Sequence, residues 1–313
     1  MLELRGVRRT YGDTIALDGL DVSVPPGVLF GLLGPNGSGK TTSMRAVMGV
    51  TAIDAGQILW NGSPITRGDR LTFGYMPEER ALYADMKVAE HLIYFARLHG
   101  LAKTDAEART DEWLDRLNLV DRRNAKVSEL SQGNKQRVQV ANTLIHSPAL
   151  MLLDEPFNGL DPGAIDFVAS VLRERAADGA TVVFSSHQLD VVEHLCSDVA
   201  IVHKGRLVSA GRTRDLTAPT GLHLVVEVKT RRRAWASRLS GVRVLSQENG
   251  RVELELGPGG DTSEVLDAAR AAGEVTEFSQ VRRRLSEVFL SLVGERVDEV
   301  EMAADLATEE ATR

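Results

Sequence analysis

The stretch VLFGLLGPNGSGKTTSMRAVMGV, residues 28–50, limits the fold of this chain more than any other. An apolar run stops at a glycine-rich turn, after which apolar residues recur at helical spacing. Within it Gly34, Pro35, Asn36, Gly37, Ser38, Gly39, Lys40 and Thr41 satisfy G-x-x-x-x-G-K-[ST], the phosphate loop between a strand and a helix. Glycines let successive backbone N–H groups turn inward to phosphate oxygens, and the helix that continues through Thr42 adds the positive end of its dipole. Lys40 brings a full charge to the terminal phosphates, and the Thr41 hydroxyl suits Mg2+. A chance match to the pattern lacks the strand before it and the helix after it. Continuous apolar runs alternating with helices further along predict a mainly parallel sheet covered on both faces, an α/β core.

A second apolar run, ALMLLDEP (149–156), ends in two carboxylates. At the C-terminal end of a parallel strand beside a phosphate loop, Asp154 comes near Mg2+, directly or through water. Glu155, pointing elsewhere, can take a proton from an attacking water. The plainer alternative is an N-cap pair for the next helix, because Pro156 turns the chain. TVVFSSH (181–187) ends in His187. A lone histidine is ordinarily a core or surface residue, but strand order brings this one to the same crevice, within reach of a γ-phosphate. The other six histidines have no metal-ligand spacing. Tyr11, in RRTYGD, is either a turn aromatic packed on the sheet or a ring that stacks on a purine base.

LSQGNKQR (130–137) reads as a helix start: Ser131 can cap it, and Gly133 leaves the backbone N–H groups uncovered. By itself this is an ordinary N-cap. Equally it is a second place for an anion, in a chain whose phosphate loop already fills its own crevice.

Length favours two domains. The formal charge of −7 argues against nucleic acid as the main partner. One cysteine, Cys196, allows no intrachain disulfide and fits a cytoplasmic location. The longest apolar runs fall far short of the roughly 18 residues that span a bilayer, so a membrane role needs another chain to supply the span. Helical patterning is predicted from Lys87 to about Ile145, a hairpin at GQILWNGSPI, and a linker at 211–221. Beyond it, LHLVVEV and RVELELG alternate strictly, and the order strand, helix, strand, strand, helix, strand predicts a small ferredoxin-like α+β sandwich. In LSEVFLSLV, Leu285, Val288, Phe289 and Leu292 share one helical face. Three domains are expected: 1–215 with a helical subdomain at about 87–148, 216–295, and an acidic tail, 296–313, with the composition of a disordered segment. RRR at 231–233 and 282–284 reads as a solvated face.

Together, and in this order over residues 2–215, these motifs resemble the nucleotide-binding subunit of an ABC transporter. The resemblance makes Tyr11 similar to the adenine-stacking aromatic, residues 34–41 to Walker A, LMLLDE to Walker B, and NGLD with Asp161 to the D-loop. His187 matches the switch histidine. LSQGN stands where the family has LSGGQ, so Ser131, Gln132, Gly133 and Asn134 are expected to contact ATP held by a second ATP-binding subunit, packed head to tail. Gln132 and Asn134 depart from that pattern. Glu78, in FGYMPEERALY, stands where the family has a glutamine near Mg2+, and adds negative charge beside the γ-phosphate. The implied cofactors are ATP and Mg2+. The implied partners are membrane-spanning permease subunits and a second copy of this chain, at the cytoplasmic face of the membrane. GYMPEERALY, LSQGNKQ and the extra domain further resemble bacterial ABC-2 type export ATPases, some serving drug or antibiotic resistance and others sodium export. Two alternatives stand beside the exporter: an importer ATPase with a regulatory C-terminal domain, and a soluble ABC-type switch. The single cassette, without coiled-coil heptads or a basic stripe, disfavours the switch.

Overall fold

The computed structural model describes residues 1–79, 81–218, 222–229, 235–239, 241–248, 250–257, 260–280 and 284–292. They fall into two compact units, Met1–Thr213 together with Leu292, and Arg214–Ser291.

The first unit opens with β1 (Leu2–Tyr11) and β2 (Thr14–Val24), then β3 (Leu29–Leu33) and helix α1 (Lys40–Val47). Next come β4 (Ala55–Trp60), β5 (Ser63–Pro64), α2 (Arg67–Leu71) and β6 (Phe73–Met76). The expected hairpin is β4–β5, turned at Asn61 and Gly62 with φ of 50° and 82°, the positive pair that a two-residue type I′ turn requires. Helices α3 (Val88–Leu98), α4 (Lys103–Arg116) and α5 (Gln132–Leu144) lead to β7 (Leu150–Asp154). Then follow α6 (Pro162–Ala177), β8 (Thr181–Ser186), α7 (Leu189–Leu195), β9 (Asp198–His203) and β10 (Arg206–Arg212).

A six-stranded sheet in the order β10-β9-β3-β8-β7-β6 forms the centre, parallel except for β10. β3, β7 and β8 are buried throughout, which is why each reads as an unbroken apolar run. Register carries the functional consequence. Leu33 pairs with Ser186, and Asp154 with Ser185, so β3, β8 and β7 end together along one edge. A second, antiparallel sheet, β2-β1-β4-β5, shares a core with it: Leu4, Leu17, Leu20 and Val22 pack with Phe30, Leu32, Met44 and Leu152. Each fully buried leucine or phenylalanine there contributes about 1.5–3 kcal/mol.

Two expectations for this unit are corrected. The helical run from Lys87 to Ile145 is broken between α4 and α5. Asn118, at φ 53°, donates its N–H to Asp115 O (3.0 Å), and the Leu119 N–H reaches Leu114 O (2.8 Å), a Schellman closure. Leu117, Leu119, Val127 and Leu130 are buried from turns, so apolar residues persist where the helix does not. The linker does not begin at residue 211. β10 runs to Arg212, and buried Thr213 donates its N–H to Ser197 O and its hydroxyl to Cys196 O. Finally, β6, β9 and β10 carry no sequence expectation. Their residues show neither strict alternation nor a long apolar run.

The second unit follows α8 (Thr213–Leu216) with β11 (Leu222–Lys229), β12 (Val242–Glu248), β13 (Arg251–Leu256), α9 (Thr262–Ala272) and β14 (Glu274–Gln280). The sheet order β12-β13-β11-β14, antiparallel throughout, is that of the ferredoxin-like sandwich. Leu224, Val226, Val228, Val252, Leu254 and Leu256 bury one face against Val265 and Ala269 of α9. Between β11 and β12 the described residues hold only a 3-10 turn, Ala236–Arg238, in place of the first expected helix. Residues 285–292 are helical, with Leu285 and Val288 buried and Phe289 and Leu292 half-buried. The arginines at 231–233 and 282–283 and the tail 296–313 lie outside the described residues.

Each unit has its own core, so a chain ending at Arg214 is expected to bind a fluorescent ATP analogue within about three-fold of the full-length affinity. A folded, soluble 1–214 chain that fails to bind in equilibrium titration refutes that division.

Candidate nucleotide site

The loop between β3 and α1 places Lys40 at the first turn of the helix. Its side chain is buried, and Nζ donates to Gly34 O (2.6 Å) and Pro35 O (3.1 Å) of the same loop. Burial pulls the ammonium below its ordinary pKa, while Glu155, Asp154 and Glu78 act against that pull. Gly39 and Gly205 leave no room for a side chain. A Cβ on Gly39 (φ 108°) would lie 2.7 Å from Ala16 O, and one on Gly205 (φ 74°) 2.9 Å from the same oxygen. Gly205, in the β9–β10 turn, donates its N–H to Ser38 O at 2.9 Å.

Beside this loop is a cleft of about 390 Å³. Tyr11, residues 36–42, Glu78, Asp154 and Glu155 all line it, so one concavity gathers residues from four separate stretches of sequence. Asp154, at the end of β7, accepts a 2.5 Å hydrogen bond from Ser185 Oγ through Oδ1, while Oδ2 is buried without a hydrogen-bond partner among the described residues. An orphaned carboxylate oxygen in a cleft shared with Thr41 and Glu78 fits a hard divalent cation such as Mg2+. Glu155 has φ 50°, in the left-handed region, and its N–H donates to the same Ser185 Oγ at 2.9 Å. Burial raises the Glu155 pKa, and its 2.9 Å hydrogen bond with His187 Nδ1 opposes that rise. His187 itself is 48% exposed and joins the cleft only through this bond.

Asp154 and Glu155 are not helix caps. Asp161 caps α6, accepting from the Ala164 N–H at 2.9 Å. Ser131 caps α5, accepting from Asn134 N–H at 3.3 Å. Ser131 and Gln132 are exposed, Gly133 and Asn134 half-buried, and none of the four lines the cleft of its own chain. α5 is nevertheless tied to it from behind. Buried Gln136 donates to Pro156 O and Gln139 to Pro77 O, both at 2.7 Å, on either side of the cleft carboxylates. Tyr11 does not pack into the sheet. It is 45% exposed, its hydroxyl 3.1 Å from Thr51 Oγ1 and its ring 4.5 Å below the Arg9 guanidinium. The Thr51 bond, with Arg9 adding to it, draws the phenol below its ordinary pKa. Ser185, Arg9, Gln136 and Gln139 escaped the reading from sequence. Only the serine had a local signal, as a hydroxyl two positions before His187 in an apolar strand.

A glycine-walled phosphate loop, an acidic strand end and a shared cleft define a P-loop nucleotide-binding protein with hydrolytic chemistry. The comparisons narrow this. The ABC transporter profile matches residues 17–158, and the C-terminal domain profile of DrrA1-3-like ATP-binding proteins matches 219–293. An uncharacterized ABC transporter ATP-binding protein of Bacillus subtilis, YhaQ, is 35% identical over 94% of this chain and 99% of its own length. Nod factor export ATP-binding protein I of Cupriavidus pinatubonensis is 38% identical over 69% of this chain and 67% of its own. A solved ATP-binding subunit of an ABC transporter covers 69% of this chain and 91% of its own at 31% identity and TM-score 0.64. A dimeric bacterial ABC cassette, 22% identical with TM-score 0.63, shares the fold. The chain belongs to the ABC transporter ATP-binding proteins. It is an ATP-binding, ATP-hydrolysing subunit of a family whose members dimerise and work with membrane permeases. No helix among the described residues is long and apolar enough to cross a membrane.

Ser185 touches both cleft carboxylate residues. Ser185→Ala is therefore expected to raise the Mg2+ concentration that half-saturates ATP binding by about 10–100-fold. Titrating Mg2+ against a fluorescent ATP analogue, with melting temperature as the control for folding, measures this. An unchanged Mg2+ midpoint shows that the serine serves packing alone.

Proposed function

We propose that this chain powers export through separate membrane-spanning permease subunits, as a homodimer at the cytoplasmic face, with a drug, antibiotic or ion as cargo. The observation that carries the reading is the pairing of an ABC cassette with a C-terminal domain of the DrrA1-3-like kind, alongside relatives whose names assign them to Nod factor export.

In the proposed reaction ATP enters the cleft with its base on Tyr11 and its phosphates in the loop of residues 34–42. Lys40 exchanges the Gly34 and Pro35 carbonyls for phosphate oxygens, forming stronger, charge-assisted bonds. Thr41, Asp154 and Glu78 would hold Mg2+, which would supply positive charge against the phosphates. Glu155 takes the proton of the attacking water, and its burial favours that role by raising its basicity. His187 orients Glu155 through Nδ1, which keeps Nε2 available to a γ-phosphate. Ser131, Gln132, Gly133 and Asn134, at the N-terminus of α5, complete the site of the partner subunit, with Asp161 beside that interface. Their absence from the cleft of their own chain supports this division of labour.

Glu155→Gln is expected to lower turnover about 10²–10⁴-fold while ATP still binds and stabilises a dimer. Near-normal hydrolysis by this variant with magnesium present removes Glu155 from the role. The partner-site reading has its own check. Lys40→Ala and Ser131→Arg homodimers should each be nearly inactive, and mixing them should restore activity once fluorescence transfer shows subunit exchange. A covalently linked dimer with both lesions on one subunit should instead be nearly inactive, because each of its two composite sites then carries one lesion. Activity of that linked dimer alongside a silent, fully exchanged mixture sinks the partner-site model. Direction is read in vesicles reconstituted with the co-purified permease: cargo should leave the face that carries the ATPase, and movement toward that face makes the protein an importer.

A further inference from the structure

Tyr11 is constrained from two directions. Its hydroxyl meets Thr51 Oγ1 at 3.1 Å, and the Arg9 guanidinium lies 4.5 Å from the ring centroid. Arg9 is fixed in turn: Nη1 donates to Asp54 Oδ1 at 2.9 Å, while Asp54 Oδ2 accepts the Thr10 N–H at 2.7 Å. One carboxylate thus clamps the cation and the backbone of the residue between Arg9 and Tyr11. Both tethers, Thr51 and Asp54, come from the short segment that follows α1, the helix of the phosphate loop. Arg9 and Tyr11 alternate with Thr10 on β1 and so share a face of the strand. Tyr11 lines the cleft and Arg9 does not, so the cation meets the ring from a residue that is not part of the cleft wall.

We propose that Arg9 is a positioning residue for nucleotide recognition: clamped by Asp54, it backs the Tyr11 ring and makes it a rigid platform that favours purine over pyrimidine nucleoside triphosphates. This rests on the reading of Tyr11 as the base-stacking residue. Two effects act together. An exposed tyrosine that must be ordered on binding loses rotamer freedom, and a ring already held by Arg9 and Thr51 has lost it beforehand. A cation on one face also draws π-electron density toward itself, leaving the cleft face less negative and better matched to an electron-rich purine. Arg9 is not among the residues that line the cleft, so its proposed effect is on the base alone.

The test uses the full-length protein and competition titrations with ATP, CTP and inorganic tripolyphosphate, comparing Arg9→Gln, Arg9→Lys, Tyr11→Ala and the Arg9→Gln/Tyr11→Ala double variant. Arg9→Gln retains a hydrogen-bonding side chain without the charge. It is expected to weaken ATP about three- to ten-fold and to leave CTP and tripolyphosphate unchanged. Arg9→Lys should recover most of the loss, and in the Tyr11→Ala background Arg9→Gln should add nothing. A fall in tripolyphosphate affinity equal to that for ATP overturns the proposal, because the arginine would then act on the phosphate loop or the fold. An unchanged ATP-to-CTP ratio in Arg9→Gln, where Tyr11→Ala lowers it, overturns the proposal and leaves the stacking platform standing. A ratio that survives Tyr11→Ala overturns both.

Discussion

Three pieces of bare backbone meet behind the phosphate loop, and the first unit is organised around that meeting. Gly39 closes the loop, Ala16 lies in the strand that crosses it, and Gly205 turns the β9–β10 hairpin into the space between them. Gly205 donates to Ser38 O and accepts from the Asp18 N–H, each at 2.9 Å, so one residue joins the loop to the antiparallel sheet. No Cβ fits at Gly39 or Gly205. The contact therefore fixes how far the β1–β2 end, with Tyr11, stands from Lys40. On the proposed reading, with the base on Tyr11 and the phosphates at Lys40, that span needs to be rigid, and here backbone hydrogen bonds set it.

The opposite wall depends on register. Because Asp154 pairs with Ser185, one buried hydroxyl can serve the Asp154 carboxylate and the Glu155 N–H at once. Lys40 and three carboxylates share the cleft, and each moderates the others' charge: the carboxylates resist the loss of the lysine proton, and Lys40 opposes the rise in the Glu155 pKa. Behind them Gln136 and Gln139 link α5 to Pro156 and Pro77. The helix that carries Ser131 at its tip thus bears directly on the two turns that carry Glu155 and Glu78.

Much of this was legible in the sequence because it is written locally. The phosphate loop, the acidic strand end and His187 each follow an apolar run, and each run became a buried parallel strand. What was not legible depends on pairing across long distances. Ser185 gains its meaning only opposite Asp154, Arg9 only beside Asp54, and Gly205 only against Ala16. The Asn118 closure of α4 did leave a trace, an asparagine in the left-handed region followed by a leucine that packs. Buried apolar residues on either side of it kept a helix-like spacing through a segment that is not helical.

Glu155 occupies a backbone conformation that suits it poorly. At φ 50° an L-residue costs roughly 1–2 kcal/mol, and only glycine or asparagine adopts the region readily. Its side chain is also a carboxylate held at 7% exposure, which burial penalises again. Both penalties fall on the residue proposed to activate water, so at this position foldability and turnover pull in opposite directions. Selection for thermal robustness alone would drift toward glycine here, yielding a sturdier protein that still grips nucleotide. A glutamate held at this strained, buried position is what the proposed role of activating water would require.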